Sequence, residues 1–308
     1  MLIWTAIRPE RNALTLPEGV EAVPVPRHPA DDPDLGRVEV LVPPYRSQRV
    51  LDALPGMTGL RLVQALESGV EWLLPHVPEG VPLCNSRGAH DAAVAEWVVG
   101  VLLAMQRQLP EHLQAQQRAQ WRDVVTRGQW ASPYAGDLEG SAVLIVGFGS
   151  IGAAVERRLE PFGVEISRVA QRGRPGVHAA SELPWLIPAA DIVVLLVPLT
   201  AETEGMIGAD LLGAMKPGAL LVNAGRGRLV DQEALTEALY EERIRAALDV
   251  TDPEPLPAES RLWQAPNLLL TPHMAGDTPR RYRRSWQLVG EQVERLLAGK
   301  PLANVVER

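Results

Sequence analysis

The stretch Ala142-Val-Leu-Ile-Val-Gly147-Phe-Gly149-Ser150-Ile151-Gly152 decides how the rest of the chain is read. Val143 to Val146 is a short, wholly apolar run, the composition of a strand buried on both faces of a parallel sheet. It breaks into G-x-G-x-x-G and then into helix-forming sequence from Ile151 to Leu159. Gly147 permits the tight turn out of the strand. Gly149 leaves room for a pyrophosphate to approach the backbone, and Gly152 lets the helix pack close to the sheet. Free N–H groups and the positive dipole end at the helix start, where Ser150 and Ile151 stand, aim at the phosphates. An ordinary glycine turn has the same letters. What sets this one apart is its place between a strand and a helix.

Downstream, strands and helices continue to alternate. Val164 to Val169, Asp191 to Val197, Ala219 to Asn223, Ala246 to Val250 and Asn267 to Leu270 read as strands. Helical stretches fall at Ser181 to Ile187, Leu211 to Met215 and Asp231 to Glu242, the last with Asp231 as N-cap. A final helix, Thr278 to Leu297, is rich in arginine on one side.

Upstream, Asp91 to Gln108 carries Val94, Trp97, Val98, Val101, Leu102 and Met105 at helical spacing. Pro110 breaks it, and a second helix runs to Trp121. Trp97, Trp121 and Trp130 crowd this region with Gln114, Gln116 and Gln117. They read either as core packing with a solvated face or as a subunit interface. Before them a smaller alternation has strands at Leu2 to Ile7, Glu21 to Val25, Val38 to Val42, Leu60 to Leu66 and Val81 to Asn85. Short helices are expected at Gln48 to Leu54 and Val70 to Leu74. The fold class is therefore α/β, with two doubly wound parallel-sheet domains. One is a Rossmann dinucleotide-binding domain and the other a flavodoxin-like domain.

Length and composition agree. The chain has 308 residues, where one domain usually takes about 100–200. Hydrophobic residues make up 46%, enough for two cores, and no apolar run reaches the length of a membrane span. Met1 to Arg11 lacks the features of a signal peptide, so a cytoplasmic location is expected. One cysteine, Cys84, excludes an internal disulfide and a cysteine-rich metal site, and reads as a small buried apolar residue. A net charge of −8 argues against nucleic acid as a partner. No metal is expected.

Ligands in such folds sit beyond the carboxyl ends of strands. In the first domain those ends carry Pro43-Pro-Tyr45-Arg46 and Glu67-Ser68-Gly69-Val70. The Ser68-Gly69-Val70 turn opens an expected helix, whose N–H groups could hold a carboxylate. The same glycine could simply make the turn. In the second domain three consecutive strand ends carry Val222-Asn-Ala224-Gly-Arg226-Gly-Arg-Leu-Val-Asp231, Leu248-Asp249-Val-Thr-Asp-Pro-Glu254-Pro-Leu, and Leu270-Thr-Pro-His273-Met-Ala-Gly276. Singly, Arg226 reads as a surface arginine, Glu254 as a loop carboxylate and His273 as a satisfied histidine. Together, beside a dinucleotide loop, they form a candidate catalytic set.

Read as a whole, these residues closely resemble the D-2-hydroxyacid dehydrogenase family. The likeness spans essentially the whole chain and is densest from Ala142 to Gly276. Asn85 to Arg107, with Val94-Ala-Glu96, resembles the family's crossing segment. The likeness implies bounds of 91–278, including the crossing helix, for the dinucleotide-binding domain, and a discontinuous flavodoxin-like substrate domain over 1–90 and 279–308. Gly225 stands where the family more often has alanine or serine, and Met274 where it has a smaller aliphatic.

The resemblance implies reduction of a 2-keto acid by reduced nicotinamide, and the reverse reaction. It places the substrate carboxylate on Ser68, Gly69 and Val70, and its carbonyl near the planar donor fork of Arg226. Protonated His273 then supplies the proton, and Glu254 hydrogen-bonds the imidazole and favours its charged form. Asp249 is the family's position for the nicotinamide carboxamide. Pro198 and Thr203 match the loop against the cofactor, with Ala224 and Gly276 beside it.

An NAD site usually has an acid about 20 residues past the glycine loop. That position falls on Ala170 here, and no carboxylate stands between Ser167 and His178. Arg168, Arg172 and Arg174 surround it, so the expected cofactor is NADP, with NAD possible. Arg172 is the expected ligand of the 2′-phosphate. Glyoxylate or hydroxypyruvate is the expected substrate class, and Tyr45, Arg46, Leu73 and Met274 are candidate pocket residues. A homodimer is expected, with no membrane partner. The rival reading is a dinucleotide-sensing, corepressor-like protein without physiological turnover.

Overall fold

The computed structural model describes residues 1–6, 15–121 and 136–307, so Trp130 lies outside the described residues. The chain divides into two compact units, 1–90 with 278–308, and 91–277.

Five parallel strands build the first unit: β1 (Leu2–Thr5), β2 (Glu21–Pro24), β3 (Val38–Val42), β4 (Leu62–Gln64) and β5 (Leu83–Cys84). Their order, β2-β1-β3-β4-β5, is the flavodoxin-like one. Neighbouring residues on a strand point to opposite faces. Trp4, Leu41 and Val63 thus pack into one cluster with Val50 and Leu54 from α1 (Gln48–Ala53) and the turn after it. Ile3, Val40, Val42, Leu62 and Cys84 fill the other, against Trp286, Val289 and Val293 of the C-terminal helix Pro279–Leu297. That helix returns an apolar stripe at helical spacing to a sheet begun at residue 2. Thr278 is its N-cap, accepting from the Arg281 N–H.

One expected helix does not form. Val70 to Leu74 is a single hydrogen-bonded turn, with the N–H groups of Leu73 and Leu74 both donating to the Val70 carbonyl. It passes into the 3-10 turn Leu74–His76. Pro75 lacks an N–H and disfavours helical geometry in the residue before it, and Pro78 follows. The Ser68-Gly69-Val70 turn therefore has no helix dipole behind it.

Seven parallel strands build the second unit: β6 (Ala142–Val146), β7 (Glu165–Ala170), β8 (His178–Ala179), β9 (Ile192–Leu195), β10 (Leu220–Asn223), β11 (Arg245–Leu248) and β12 (Leu268–Leu270). Their order is β12-β11-β10-β9-β6-β7-β8. The chain leaves β6 in one direction and resumes at β9 in the other, so the carboxyl ends of β6 and β9 flank the switch point. The two-residue β8 went unread in the sequence because it carries no alternation.

Helices cover both faces. Val143, Ile145, Ile192 and Val194 pack against α2 (Asp91–Gln106) and α4 (Ser150–Leu159). Leu144, Val146, Val193 and Leu195 pack against α5 (Leu183–Leu186), α6 (Ala209–Ala214) and α7 (Gln232–Tyr240). Asp231 caps α7 by accepting from the Ala234 N–H at 3.0 Å. Between α2 and α3 (Leu109–Gln117) the break falls at Gln108, in the left-handed region at φ +50, and not at Pro110. Pro110 sits in the first turn of α3, where a missing N–H costs nothing.

Candidate active site

Each of the three glycines after β6 has a spatial reason. Gly147 turns at φ +108, and a Cβ there would lie 2.6 Å from the Leu196 carbonyl carbon. The N–H groups of Gly147 and Phe148 both donate to the Val169 carbonyl, closing the turn onto β7. At Gly152 a Cβ would meet the Gly147 carbonyl oxygen at 2.7 Å, so α4 seats directly on the turn. At Gly149 a Cβ would meet nothing within 4 Å. The turn thus presents a small open cradle, with the first N–H groups of α4 at Ser150, Ile151 and Gly152 beside it. The Ser150 hydroxyl donates to Asp91 at 3.2 Å. This cradle fits the pyrophosphate of a dinucleotide.

At the end of β7 the arginines divide their work. Arg168 pairs with Glu156 and lies over the Phe148 ring at 5.5 Å. Arg174 donates to the Phe148 carbonyl at 2.9 Å. Arg172 is exposed. A cavity of about 300 Å³ runs along the outer edge of β7, lined by Ser167, Arg168, Arg174 and His178 among others.

Beyond β9 the loop is knit by Thr203, whose hydroxyl donates to the Pro198 carbonyl at 2.7 Å and accepts from the Thr200 N–H at 2.8 Å. Beyond β10, Asn223 shapes the next loop. Its side chain donates to the Arg226 carbonyl at 2.9 Å and accepts from the Gly225 N–H at 3.0 Å. The Ala224 N–H donates to the Leu195 carbonyl. A Cβ on Gly225 would come within 2.9 Å of the Val197 carbonyl oxygen, so the glycine there lets two strand-end loops touch. Arg226 leaves in extended conformation and donates to the Gly225 carbonyl at 2.8 Å.

Beyond β11 and β12 the last two loops meet. Nδ1 of His273 lies 2.9 Å from Oε1 of Glu254. A carboxylate can only accept, so Nδ1 carries the hydrogen and Nε2 is the ring nitrogen turned away from Glu254. The side chains are 41% and 35% exposed, so water screens the pairing and its main effect is orientation. Gln232 clamps the Glu254 loop, accepting from the Asp252 N–H at 2.9 Å and donating to its carbonyl at 2.6 Å.

His273 itself sits at φ +52, a conformation most non-glycine residues avoid. Asp249 holds it there. Its carbonyl accepts from the His273 N–H at 2.7 Å. Its carboxylate, 2% exposed, accepts from the Thr271 hydroxyl at 2.5 Å and from the Met274 and Ala275 N–H groups, each at 2.8 Å. Among the described residues, three donors fill three of the four carboxylate lone-pair positions. Gly276 follows this loop, partly exposed. Asn223, Gln232 and the loop-holding work of Asp249 all escaped the sequence reading. An Asn-x-Gly at a strand end was the available signal for the first.

In the first unit, Tyr45 stands edge-on to Trp72 with ring centroids 5.5 Å apart, and Arg46 lies over the Tyr45 ring. Leu73 is fully buried in the core beneath and is not a pocket residue, because the turn at Val70 points it inward. The Ser68 hydroxyl lies 3.0 Å from Nδ1 of His90.

The family model for the NAD binding domain of D-isomer specific 2-hydroxyacid dehydrogenase matches residues 99–275. The chain belongs to the D-isomer specific 2-hydroxyacid dehydrogenase family. It is 33% identical over 268 residues to a glyoxylate reductase of Thermofilum pendens, covering 82% of this chain and 75% of that one. It is 32% identical over 273 residues to the human glyoxylate reductase/hydroxypyruvate reductase, covering 85% and 81%. A D-isomer specific 2-hydroxyacid dehydrogenase from Xanthobacter autotrophicus Py2, solved with NADPH and MES, superposes with a TM-score of 0.83 at 28% identity, covering 99% and 97%.

As a member of this dehydrogenase family, the chain is an oxidoreductase built on a Rossmann-type cofactor domain. Among the described residues no three His, Cys, Asp or Glu side chains form a group that could hold a metal ion. No described helix is long and apolar enough to cross a membrane.

Proposed function

We propose that this dehydrogenase reduces small 2-keto acids of the glyoxylate and hydroxypyruvate class to their D-2-hydroxy acids, and runs the reverse reaction, with NADPH preferred over NADH. The observation that carries the reading is the 2.9 Å contact of Glu254 with His273 at the ends of neighbouring strands. The relatives named as glyoxylate reductases support the substrate class.

The bound nicotinamide supplies or receives hydride at the substrate's 2-carbon. The chain's own residues do the rest. Arg226 offers the planar donor fork for the carbonyl. His273, charged, gives the proton on Nε2 to the carbonyl oxygen as negative charge develops there; neutral, it takes the proton back in the oxidation. Glu254 keeps Nδ1 engaged and so fixes which nitrogen acts. Ser68, Gly69 and Val70 hold the carboxylate through a hydroxyl and main-chain N–H groups. Gly147, Gly149, Ser150, Ile151 and Gly152 cradle the pyrophosphate, and Arg172 takes the 2′-phosphate. Pro198, Thr203, Ala224, Asp249 and Gly276 surround the nicotinamide end, with the remaining lone pair of Asp249 toward the carboxamide.

The test is a panel of 2-keto acids with NADPH and with NADH, following nicotinamide absorbance, in wild type and His273→Ala. Turnover of glyoxylate or hydroxypyruvate is expected, faster with NADPH. His273→Ala should lower kcat by about 10²–10⁴-fold while cofactor affinity holds. Tight NADPH binding without turnover of any acid overturns the reading in favour of a dinucleotide-binding protein.

The same proposal includes a two-fold dimer through the helical region that starts at Trp97, where Leu103 of α2, Leu109 and Leu113 of α3, and Trp121 beyond α3 are exposed. Trp97 packs against the core of its own unit. Light scattering at micromolar concentration is expected to give the dimer mass, and a monomer mass counts against it.

A further inference from the structure

Loop 85–90 is tied to the end of β4 by a set of short bonds. Asn85 Nδ2 donates to the Ser68 carbonyl at 2.9 Å, the Ser86 N–H to the Glu67 carbonyl at 2.9 Å, and the Ser86 hydroxyl to the Ala65 carbonyl at 2.8 Å. From the C-terminal helix, Arg284 Nε donates to the Ala89 carbonyl at 2.6 Å. Ser68 and His90 are thus held in register through the main chain on both sides. Their side chains, both partly buried, meet with the Ser68 hydroxyl 3.0 Å from His90 Nδ1 and 3.4 Å from the Ser86 carbonyl oxygen.

A serine hydroxyl has one proton and two lone pairs. Where Nδ1 accepts that proton, the oxygen turns lone pairs toward whatever lies on the turn, and a carboxylate there is repelled. Where Nδ1 carries hydrogen, the imidazole donates to Oγ and the hydroxyl proton is released to donate elsewhere. Only the second arrangement makes Ser68 a donor to an anion. Among the charged groups nearby, Glu67 precedes Ser68, Asp91 follows His90, and Arg284 reaches the Ala89 carbonyl. Burial pushes the Glu67 carboxyl above the usual carboxylate range, with Arg281 acting against that shift.

We propose that His90 is a positioning residue for the substrate carboxylate: its Nδ1–H donates to Ser68 Oγ and commits the Ser68 hydroxyl to donate to the carboxylate of a small 2-keto acid. This rests on the reading of Ser68-Gly69-Val70 as the carboxylate turn. The carboxylate is common to all 2-keto acids, so His90 acts on capture of the acid and not on choice of its side chain.

The test is steady-state reduction of glyoxylate with NADPH by the full-length wild type, Ser68→Ala, His90→Leu, His90→Asn and the double variant Ser68→Ala with His90→Leu. Leucine and asparagine have nearly the same shape here and differ in having a donor. Losing a hydrogen bond to a charged group costs about tenfold or more in affinity. His90→Leu is expected to raise KM for glyoxylate about tenfold, with kcat and the KM for NADPH within about twofold. His90→Asn should restore most of the affinity, because its amide N–H stands where Nδ1–H stood. The double variant should be no worse than Ser68→Ala alone. A raised KM in Ser68→Ala with an unchanged KM in His90→Leu overturns the proposal and leaves the carboxylate turn standing. Fully additive effects in the double variant also overturn it, since His90 then acts elsewhere. An unchanged KM in Ser68→Ala removes the role of the Ser68 hydroxyl and the proposal with it. Should His90→Leu not fold, His90→Asp, a similar shape that can only accept, is expected to raise KM at least as far against His90→Asn, and equal KM values overturn the proposal.

Discussion

Gly227→Ala is the perturbation with the most direct structural magnitude. A Cβ at Gly227 would lie 2.0 Å from the Thr251 carbonyl oxygen, 2.1 Å from its carbon and 2.8 Å from the Asp252 nitrogen. Ordinary contact begins at 3.4 Å, so the two loops must part by about 1.4 Å (3.4 − 2.0). Neither side yields easily. Gln232 clamps Asp252 from both main-chain groups, and Asn223 holds the Arg226 carbonyl. Arg226 stands immediately before the glycine and Glu254 two residues past Asp252, so parting the loops moves one against the other. A misplacement of about 1 Å costs on the order of 10²-fold in rate. Overpacking costs about 1–3 kcal/mol, a fall in Tm of roughly 2–12 °C for a unit of this size. The assay is kcat/KM for glyoxylate at saturating NADPH, with a thermal melt on the same preparation. Gly213→Ala in α6 is the control, because its Cβ meets nothing within 4 Å. It should match wild type in rate and melt no lower, alanine being the better helix former. A Gly227→Ala protein within about threefold of wild-type kcat/KM would refute the claim that these loops are packed at their limit.

Arg172→Ala should raise KM for NADPH by about tenfold or more, the worth of a charge-assisted contact, and leave NADH nearly untouched; equal losses with both cofactors would rule out a 2′-phosphate role. Asp249→Asn leaves one of the three donors at Thr271, Met274 and Ala275 facing an amide N–H, a loss of about 1–3 kcal/mol. The expected result is a lower melting temperature and at least tenfold lower kcat, and wild-type kcat would show that the His273 loop stands without it. Burial pushes the Cys84 thiol up to about 11, against a hydrogen bond with Gln292. The folded protein at pH 8 should therefore resist thiol reagents and release one reactive thiol in denaturant, whereas rapid labelling of the native protein would mean that β5 opens readily.

The parts of the fold that the sequence made legible are those with a strong local rule. Both sheets follow from uninterrupted apolar runs such as Ile192–Leu195, where every residue is buried and no other reading competes. Asp231 announces α7 because capping is a contact between neighbours in the chain. Val70–Leu74 misled because its apolar letters suit a helix while Pro75 and Pro78 forbid one. The Glu254–His273 contact joins residues 19 positions apart on two loops. It could be anticipated only from strand ends and family likeness, since no periodicity encodes it. The clamps by Asn223, Gln232 and Asp249 were invisible for a further reason. Each works through main-chain groups, which every residue has, so the partner leaves no mark in the sequence.

The return of the C-terminal helix to the first sheet has a consequence for the order in which this protein comes off the ribosome. Ile3, Val40, Val42, Leu62 and Cys84 are finished early, but the helix that covers them begins at Pro279. All of residues 91–277 are made in between, an interval of about 10–40 s at 5–20 residues per second. During that time the second unit has everything it needs to fold, while the first waits with one greasy face uncovered. A nascent chain stalled before residue 279 should be held by chaperones through that face. A circular permutant that places the helix next to β1 would shorten the wait to almost nothing.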